Sequence, residues 1–200
     1  VDVLDGFGVV EANGTIDFSK PGTYTLRYNS TDAAGNVADE VTRNIVVLDT
    51  TPPVIQLKGG PAFIHEVGQP YFDPGATWTD AVDGNGTLMG VGLVNINIPG
   101  TYPLTYSFTD SSGNAALPVV RTVYALDRTS PIISIIGGGH LVMEAGTPYL
   151  DAGAIWLDAV DGNGSLQANE TVNVNVPGTY VLSYEFVDAE GNVALPRTRT

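Results

Sequence analysis

Carboxylates at short, recurring spacing are the residues of this chain best suited to chemistry. Asp80, Asp83 and Asn85 fall within one turn-sized segment, and Asp158, Asp161 and Asn163 repeat it 78 residues later. Such hard oxygen donors, interleaved with Gly84, Gly86, Gly162 and Gly164, let the backbone curl round a cation, and Ca2+ is the cation expected. No bidentate Glu follows to complete the shell, so each loop supplies only part of it. The remaining ligands are sought in the Asp-x-x-Gly-Asn turns at Asp110 and Asp188 and in the linker residues Asp49 and Asp127. If the first two strands of each copy are halves of one edge strand, the acidic loop, the last hairpin turn and the incoming linker share a pole. Asp49, Asp80, Asp83 and Asp110 then converge in one copy, and Asp127, Asp158, Asp161 and Asp188 in the next. Calcium there would stiffen the domain junction. A second reading stands beside this one: Asp-Gly and Asn-Gly are ordinary hairpin chemistry, and their charges are solvated.

Other chemistry finds little support. His65 and His140 occupy different registers of the 78-residue period, so they form no repeated site. There is no Gly-x-Ser-x-Gly, no histidine pair at metal spacing and no phosphate loop, and no enzymatic activity is expected. Lys20 and Lys58 are the sole lysines and also lie out of register, which argues against a repeated Lys–Asn crosslink. Asn-x-Ser/Thr occurs at Asn13, Asn29, Asn85, Asn163 and Asn169, and turn preference in a chain rich in Asn, Ser and Thr accounts for most of these.

The elements that must hold these residues recur on the same period. Pro-Gly-Thr-Tyr begins at Pro21, Pro99 and Pro177, and Asp-x-x-Gly-Asn at Asp32, Asp110 and Asp188. A fixed period with no drift indicates a tandem array of one small domain. Copies are expected at 1–49, 50–127 and 128–200, the first lacking its opening strands and the third the end of its last strand. An excerpt of a longer repeat protein is one reading of those incomplete copies, and a strand-accepting end is the other. Within a copy, alternation is the main pattern. Tyr102, Leu104, Tyr106 and Phe108 share one strand face, as do Tyr180, Leu182, Tyr184 and Phe186. Short strands are expected at Val54–Leu57, around Glu66 and Glu144, at Gly75–Thr79 and Gly153–Leu157, and at Val119–Leu126. Trp78 and Trp156 hold one register and are expected in the core, where a small sandwich needs a large side chain. About seven short strands per copy predict an all-β chain of tandem immunoglobulin-like antiparallel β-sandwich domains.

Composition narrows the partners. The chain has 22 acidic and 8 basic residues, a formal charge of −14. Nucleic acid and anionic membranes both require a basic face, so neither is an expected partner. No segment approaches the roughly 18 consecutive apolar residues of a membrane span, so no direct membrane insertion is expected. Cysteine is absent, so disulfides contribute nothing. A unit of 78 residues buries only roughly 60–65% of its unfolded surface and gains from neighbours, metals or regular packing.

Taken in order, Thr51-Pro52-Pro53-Val54-Ile55, Glu66-Val67-Gly68, Asp73-Pro74-Gly75-Ala76, Asp80-Ala81-Val82-Asp83-Gly84, Pro99-Gly100-Thr101-Tyr102 and Thr109-Asp110-Ser111-Ser112-Gly113-Asn114 carry a resemblance. The chain resembles the bacterial Ig-like repeat found in some pesticidal crystal proteins and the related hyaline-type repeats. The third copy departs with Asp151-Ala152-Gly153 and Met143-Glu144-Ala145-Gly146, and the first has Phe7 at the register of Asn85. The resemblance implies tandem spacers in surface and secreted proteins, and such modules accompany adhesins, secreted enzymes and stalks alike.

The expected function is therefore a structural spacer or stalk of a long extracellular protein, an adhesin at the cell surface, with neighbouring repeats as its partners. Proline-stiffened linkers at Leu48–Pro53 and Leu126–Pro131 suit a semi-rigid array, each copy adding roughly 30–40 Å. Two alternatives belong to other classes: self-association into a surface filament or sheath, and carbohydrate binding through Tyr71, Tyr149 and the tryptophans.

Overall fold

The computed structural model describes residues 6–200. Asp2 and Asp5, the first-copy counterparts of Asp80 and Asp83, lie outside the described residues. Among the described residues there are thirteen strands and no helix. They are β1 (Gly22–Tyr28), β2 (Val41–Val47), β3 (Val54–Leu57), β4 (Ala62–Glu66), β5 (Ala76–Asp80), β6 (Gly84–Leu88), β7 (Gly100–Tyr106), β8 (Val119–Leu126), β9 (Ile132–Ile135), β10 (Ala154–Asp158), β11 (Gly162–Leu166), β12 (Leu182–Tyr184) and β13 (Arg197–Arg199). The chain parts into two compact units. The first holds the described residues up to Lys58 with Pro74–Gly90 and Thr105–Val119, and the second holds Gly59–Asp73, Val91–Leu104 and Val120–Thr200.

In the first unit β1 and β2 form an antiparallel pair from Gly22 opposite Val47 to Tyr28 opposite Val41. A three-stranded sheet of order β3-β5-β6 lies in the same unit. Its β5–β6 hairpin turns through Asp80–Gly84, where Gly84 takes φ 88°, a left-handed value that favours glycine. Ile55, Ala76, Tyr106 and Ala116 supply the unit's buried apolar residues.

Most of the sheet β4-β8-β7 belongs to the second unit. There β4 runs parallel to β8, with Ala62 opposite Thr122 and Glu66 opposite Leu126, whereas β3 is antiparallel to β5. The first two strands of the copy therefore sit in different sheets, as a split edge strand requires. Around Glu144 no strand forms. Leu141 donates to the Thr200 carbonyl and Thr200 to that of Gly139, both at 2.8 Å, and the parallel pairing goes no further among the described residues.

The second unit also contains the sheet β9-β10-β11 and the pair β12-β13. Their inner faces close on one cluster of Ile133, Ala154, Leu182, Tyr184 and Ala194, with Trp156 and Phe186 packed against it. This is a sandwich core in miniature. Trp156 is half-buried instead of central: it stacks on Phe186 at 4.0 Å, as Trp78 stacks on Phe108. Gly86 and Gly164 make room for the indoles, since an added Cβ would come within 2.6 Å of Trp78 Nε1 or 2.5 Å of Trp156 Nε1. The fully buried aromatic is Tyr184.

A charged residue shares that interior. Arg199, only 5% exposed, pairs with Asp151 and donates its Nε to the Gly138 carbonyl at 3.1 Å. Asp151 also accepts the Tyr184 hydroxyl at 2.8 Å and the Tyr149 hydroxyl at 2.9 Å. Burial raises the Asp151 pKa, but the two hydroxyls and the Arg199 charge outweigh it and hold the carboxyl below its ordinary value. Burial and the bond to Asp151 push the Tyr184 phenol up to about 12. The same pair recurs 78 residues earlier, with Arg121 fully buried against Asp73 and donating to the Gly60 carbonyl at 3.1 Å.

Candidate metal centres

The acidic turns are built by their own side chains. Asp80 Oδ1 accepts the amides of Val82 at 2.7 Å and Asp83 at 3.0 Å. Asp158 does the same for Val160 and Asp161, at 2.7 and 3.1 Å. These Asx-type bonds favour tight turns because the carboxylate stands in for a backbone acceptor. The last hairpin is tied in the same fashion. Asp110 accepts the Asn114 amide at 2.7 Å and its side-chain Nδ2 at 2.8 Å, and Asp188 and Asn192 repeat both distances. The asparagine amide then reaches the linker: Asn114 Nδ2 donates to the Asp49 carbonyl and Asn192 Nδ2 to the Asp127 carbonyl, each at 3.2 Å.

Linker, acidic turn and hairpin turn therefore meet. In the first unit one carboxylate oxygen each from Asp49, Asp80 and Asp110 lie within 4.8 Å of one another. In the second unit Asp127, Asp158 and Asp188 do so, and all three are buried. A further triad of Asp127, Asp161 and Glu190 meets the same distance. Asp83 is half-buried and accepts the Ser111 amide at 3.3 Å. Asn85 and Asn163 lie in β6 and β11 opposite Thr79 and Leu157, at exposed positions.

Electrostatically these centres are under-compensated. Asp127 is 4% exposed; its Oδ1 accepts the Thr129 amide at 3.1 Å and hydroxyl at 2.8 Å, while its buried Oδ2 has no hydrogen-bond partner. Asp49 Oδ2 and Asp83 Oδ2 are in the same state. Among the described residues no salt bridge reaches either set of aspartates. A buried, unpaired charged oxygen is costly, and a cation is the partner that removes the cost. Asp188 is held below its ordinary pKa: burial raises it, and the bonds from Asn192 and from the Gly191 and Glu190 amides lower it further than burial raises it. Glu190 is raised, first by desolvation and then by Asp161, Asp127 and Asp188. The donor set, all carboxylate with carbonyls nearby, suits a hard divalent cation such as Ca2+.

Repeat-based reading finds Asp127, Asp158 and Asp188 because each recurs. It misses Glu190, whose register in the preceding copy is held by Ser112. The signal was the one acidic residue inside an Asp-x-x-Gly-Asn turn. The carbonyl-tethering role of Asn114 and Asn192 was likewise not legible from the motif alone. His65 is buried, with Nε2 2.9 Å from the Gln69 carbonyl and its ring edge-on to Tyr71, a structural placement.

Comparison with known proteins agrees with this architecture. Residues 5–47, 55–125 and 133–200 match the family described as bacterial surface protein, Ig-like domain. Hyalin of Lytechinus variegatus is 30% identical over 202 aligned positions, covering 94% of this chain and 37% of that protein. Hyalin of Strongylocentrotus purpuratus is 29% identical over 195, covering 91% of this chain and 16% of that protein. An uncharacterized 81.3 kDa protein of Acholeplasma phage L2 is 28% identical, over 94% of this chain and 26% of its own length. The chain thus spans well under half of each of these relatives. Three successive matches on an all-β scaffold establish that the chain belongs to the Ig-like domain family of bacterial surface proteins.

Proposed function

We propose that this chain is a calcium-stiffened spacer of an extracellular surface protein, whose aspartate centres lock each linker to the domain that follows it. The family supports a surface structural or adhesive module, and it is a family of surface repeats and not of enzymes. The observation that carries the finer reading is Asp127. This linker residue is buried with an unpartnered oxygen in a triad whose other members come from an acidic turn and a hairpin turn. A cation held there bonds the linker and both turns at once, so it removes the freedom of the hinge as well as the repulsion among carboxylates. Neighbouring repeats are then the principal partners, and an extended rod is the expected particle.

The test is calcium titration of thermal unfolding with small-angle scattering in parallel. Calcium should raise the melting temperature and narrow the distribution of particle lengths, and EGTA should reverse both. A melting temperature indifferent to EGTA rules the reading out.

Carbohydrate binding through the tryptophans is not favoured, since both indoles are stacked beneath phenylalanine rings.

A further inference from the structure

The two aspartate centres are not equivalent. Among the described residues, the oxygens of the first unit form a single triad, Asp49, Asp80 and Asp110. In the second they form two, Asp127 with Asp158 and Asp188, and Asp127 with Asp161 and Glu190. The difference is one residue: Glu190 stands where the preceding copy has Ser112, so Asp83 has no acidic partner corresponding to the one Asp161 has. The second triad joins the exposed Asp161 and Glu190 to Asp127, which is 4% exposed and has an oxygen without any hydrogen-bond partner.

We propose that the Asp127 centre holds two divalent cations bridged by Asp127, one with Asp158 and Asp188 and the other with Asp161 and Glu190, whereas the Asp49 centre holds one. A carboxylate has two oxygens and can serve two ions, and calcium accepts mono- and bidentate carboxylates, carbonyls and water in a flexible shell. Charge favours the count. Five carboxylates surround the Asp127 centre, so one divalent cation would leave three charges uncompensated and two leave one. Glu190 is exposed, so its cation faces solvent, keeps more water and exchanges first. The chain therefore carries a tight inner site and a weaker outer site at one linker, and only an inner site at the other. This rests on the calcium reading above and goes beyond it in stoichiometry and in the role of Glu190.

The test counts bound calcium on the whole chain by native mass spectrometry and calorimetry, as differences between variants. Glu190→Ser should lose one cation and keep the tighter binding, Asp127→Asn should lose two, and Asp49→Asn should lose one. The reciprocal Ser112→Glu should gain one. Glu190 and Ser112 are exposed, so both variants should fold as the parent does, and circular dichroism checks this. If Glu190→Ser leaves the count unchanged, or Asp127→Asn removes only one cation, the two-cation centre is overturned while calcium binding stands. If the parent binds no calcium, the calcium reading itself falls.

Discussion

Asp151 and Asp127 are both carboxylates largely removed from water in the second unit, and they meet opposite surroundings. Asp151 meets an internal cation, Arg199, and two phenol hydroxyls. Asp127 meets a threonine and a neighbouring carboxylate set, with no arginine or lysine bonded to it among the described residues. With 8 basic residues against 22 acidic ones, most acids of the chain have no basic partner. Its two most deeply buried arginines, Arg121 and Arg199, lie in the β-sandwich strands. The core is thus self-sufficient, whereas no basic side chain reaches the acidic pole among the described residues.

The largest effect should come from breaking the self-sufficient side. Arg199→Met leaves Asp151 buried without its cation, and removing one partner of a buried pair typically costs about 3–5 kcal/mol. Urea unfolding should show that loss equally in calcium and in EGTA. A loss that calcium repairs would mean that the two regions are coupled and the contrast drawn here is wrong.

Next in size is the linker pole. If free calcium exceeds the dissociation constant tenfold, each occupied site adds about 1.4 kcal/mol. Asp127→Asn removes both a ligand and an uncompensated charge, so its sign should invert with conditions. The variant should melt below the parent in millimolar calcium and above it in EGTA. Melting below the parent in both would show that Asp127 is held by protein contacts alone.

Acid and alkali probe the core side without mutating it. The pKa of Asp151 is lowered in the fold, so its contribution is present above its unfolded value of about 3.8 and vanishes as pH falls through the folded value. Tyr184 is raised from 10.0 to about 12, so its neutral form is favoured by folding. That contribution is intact below pH 10 and disappears as pH climbs towards 12. Denaturation midpoints should therefore fall at both extremes, and Tyr184→Phe should flatten the alkaline arm while Asp151→Asn flattens the acid one.

How far the sequence foretold this contrast differs between the two sides. Exact recurrence of Asp80 and Asp158, and of Asp110 and Asp188, made the acidic pole legible, because turn residues carry their geometry in their types. The split edge strand, which entered only as a condition for the shared pole, is seen in β3 and β4 pairing with different partners. The buried arginine is less legible. Arg121, Val123, Ala125 and Asp127 occupy alternate positions and are all buried, so strict alternation already placed an arginine and an aspartate inward. Hydropathy alone puts both outside. Its partner Asp73 was visible only as a turn residue before Pro74-Gly75. The tryptophans misled in the other direction: their size suggested the centre, but the strand register gives that place to Tyr106 and Tyr184, and Trp78 and Trp156 cover the flank.

The smallest effect should come from a third acid that is neither buried nor abandoned. Glu66 Oε2 accepts Arg128 Nε at 3.1 Å while its Oε1 accepts the Arg128 amide at 2.9 Å. The Arg128 amide is the chief cause of the lowered Glu66 pKa, followed by burial acting against it and then the guanidinium. Arg128→Ala keeps the amide bond and removes only a solvent-facing ion pair, for which about 0.2–1 kcal/mol is typical. The loss should shrink further in 1 M NaCl, where the Debye length is about 3 Å. Arg199→Met should be nearly insensitive to the same salt, because its pair lies beyond the reach of screening ions. Equal salt dependence for the two variants would place Arg199 in water and remove the buried side of the comparison altogether.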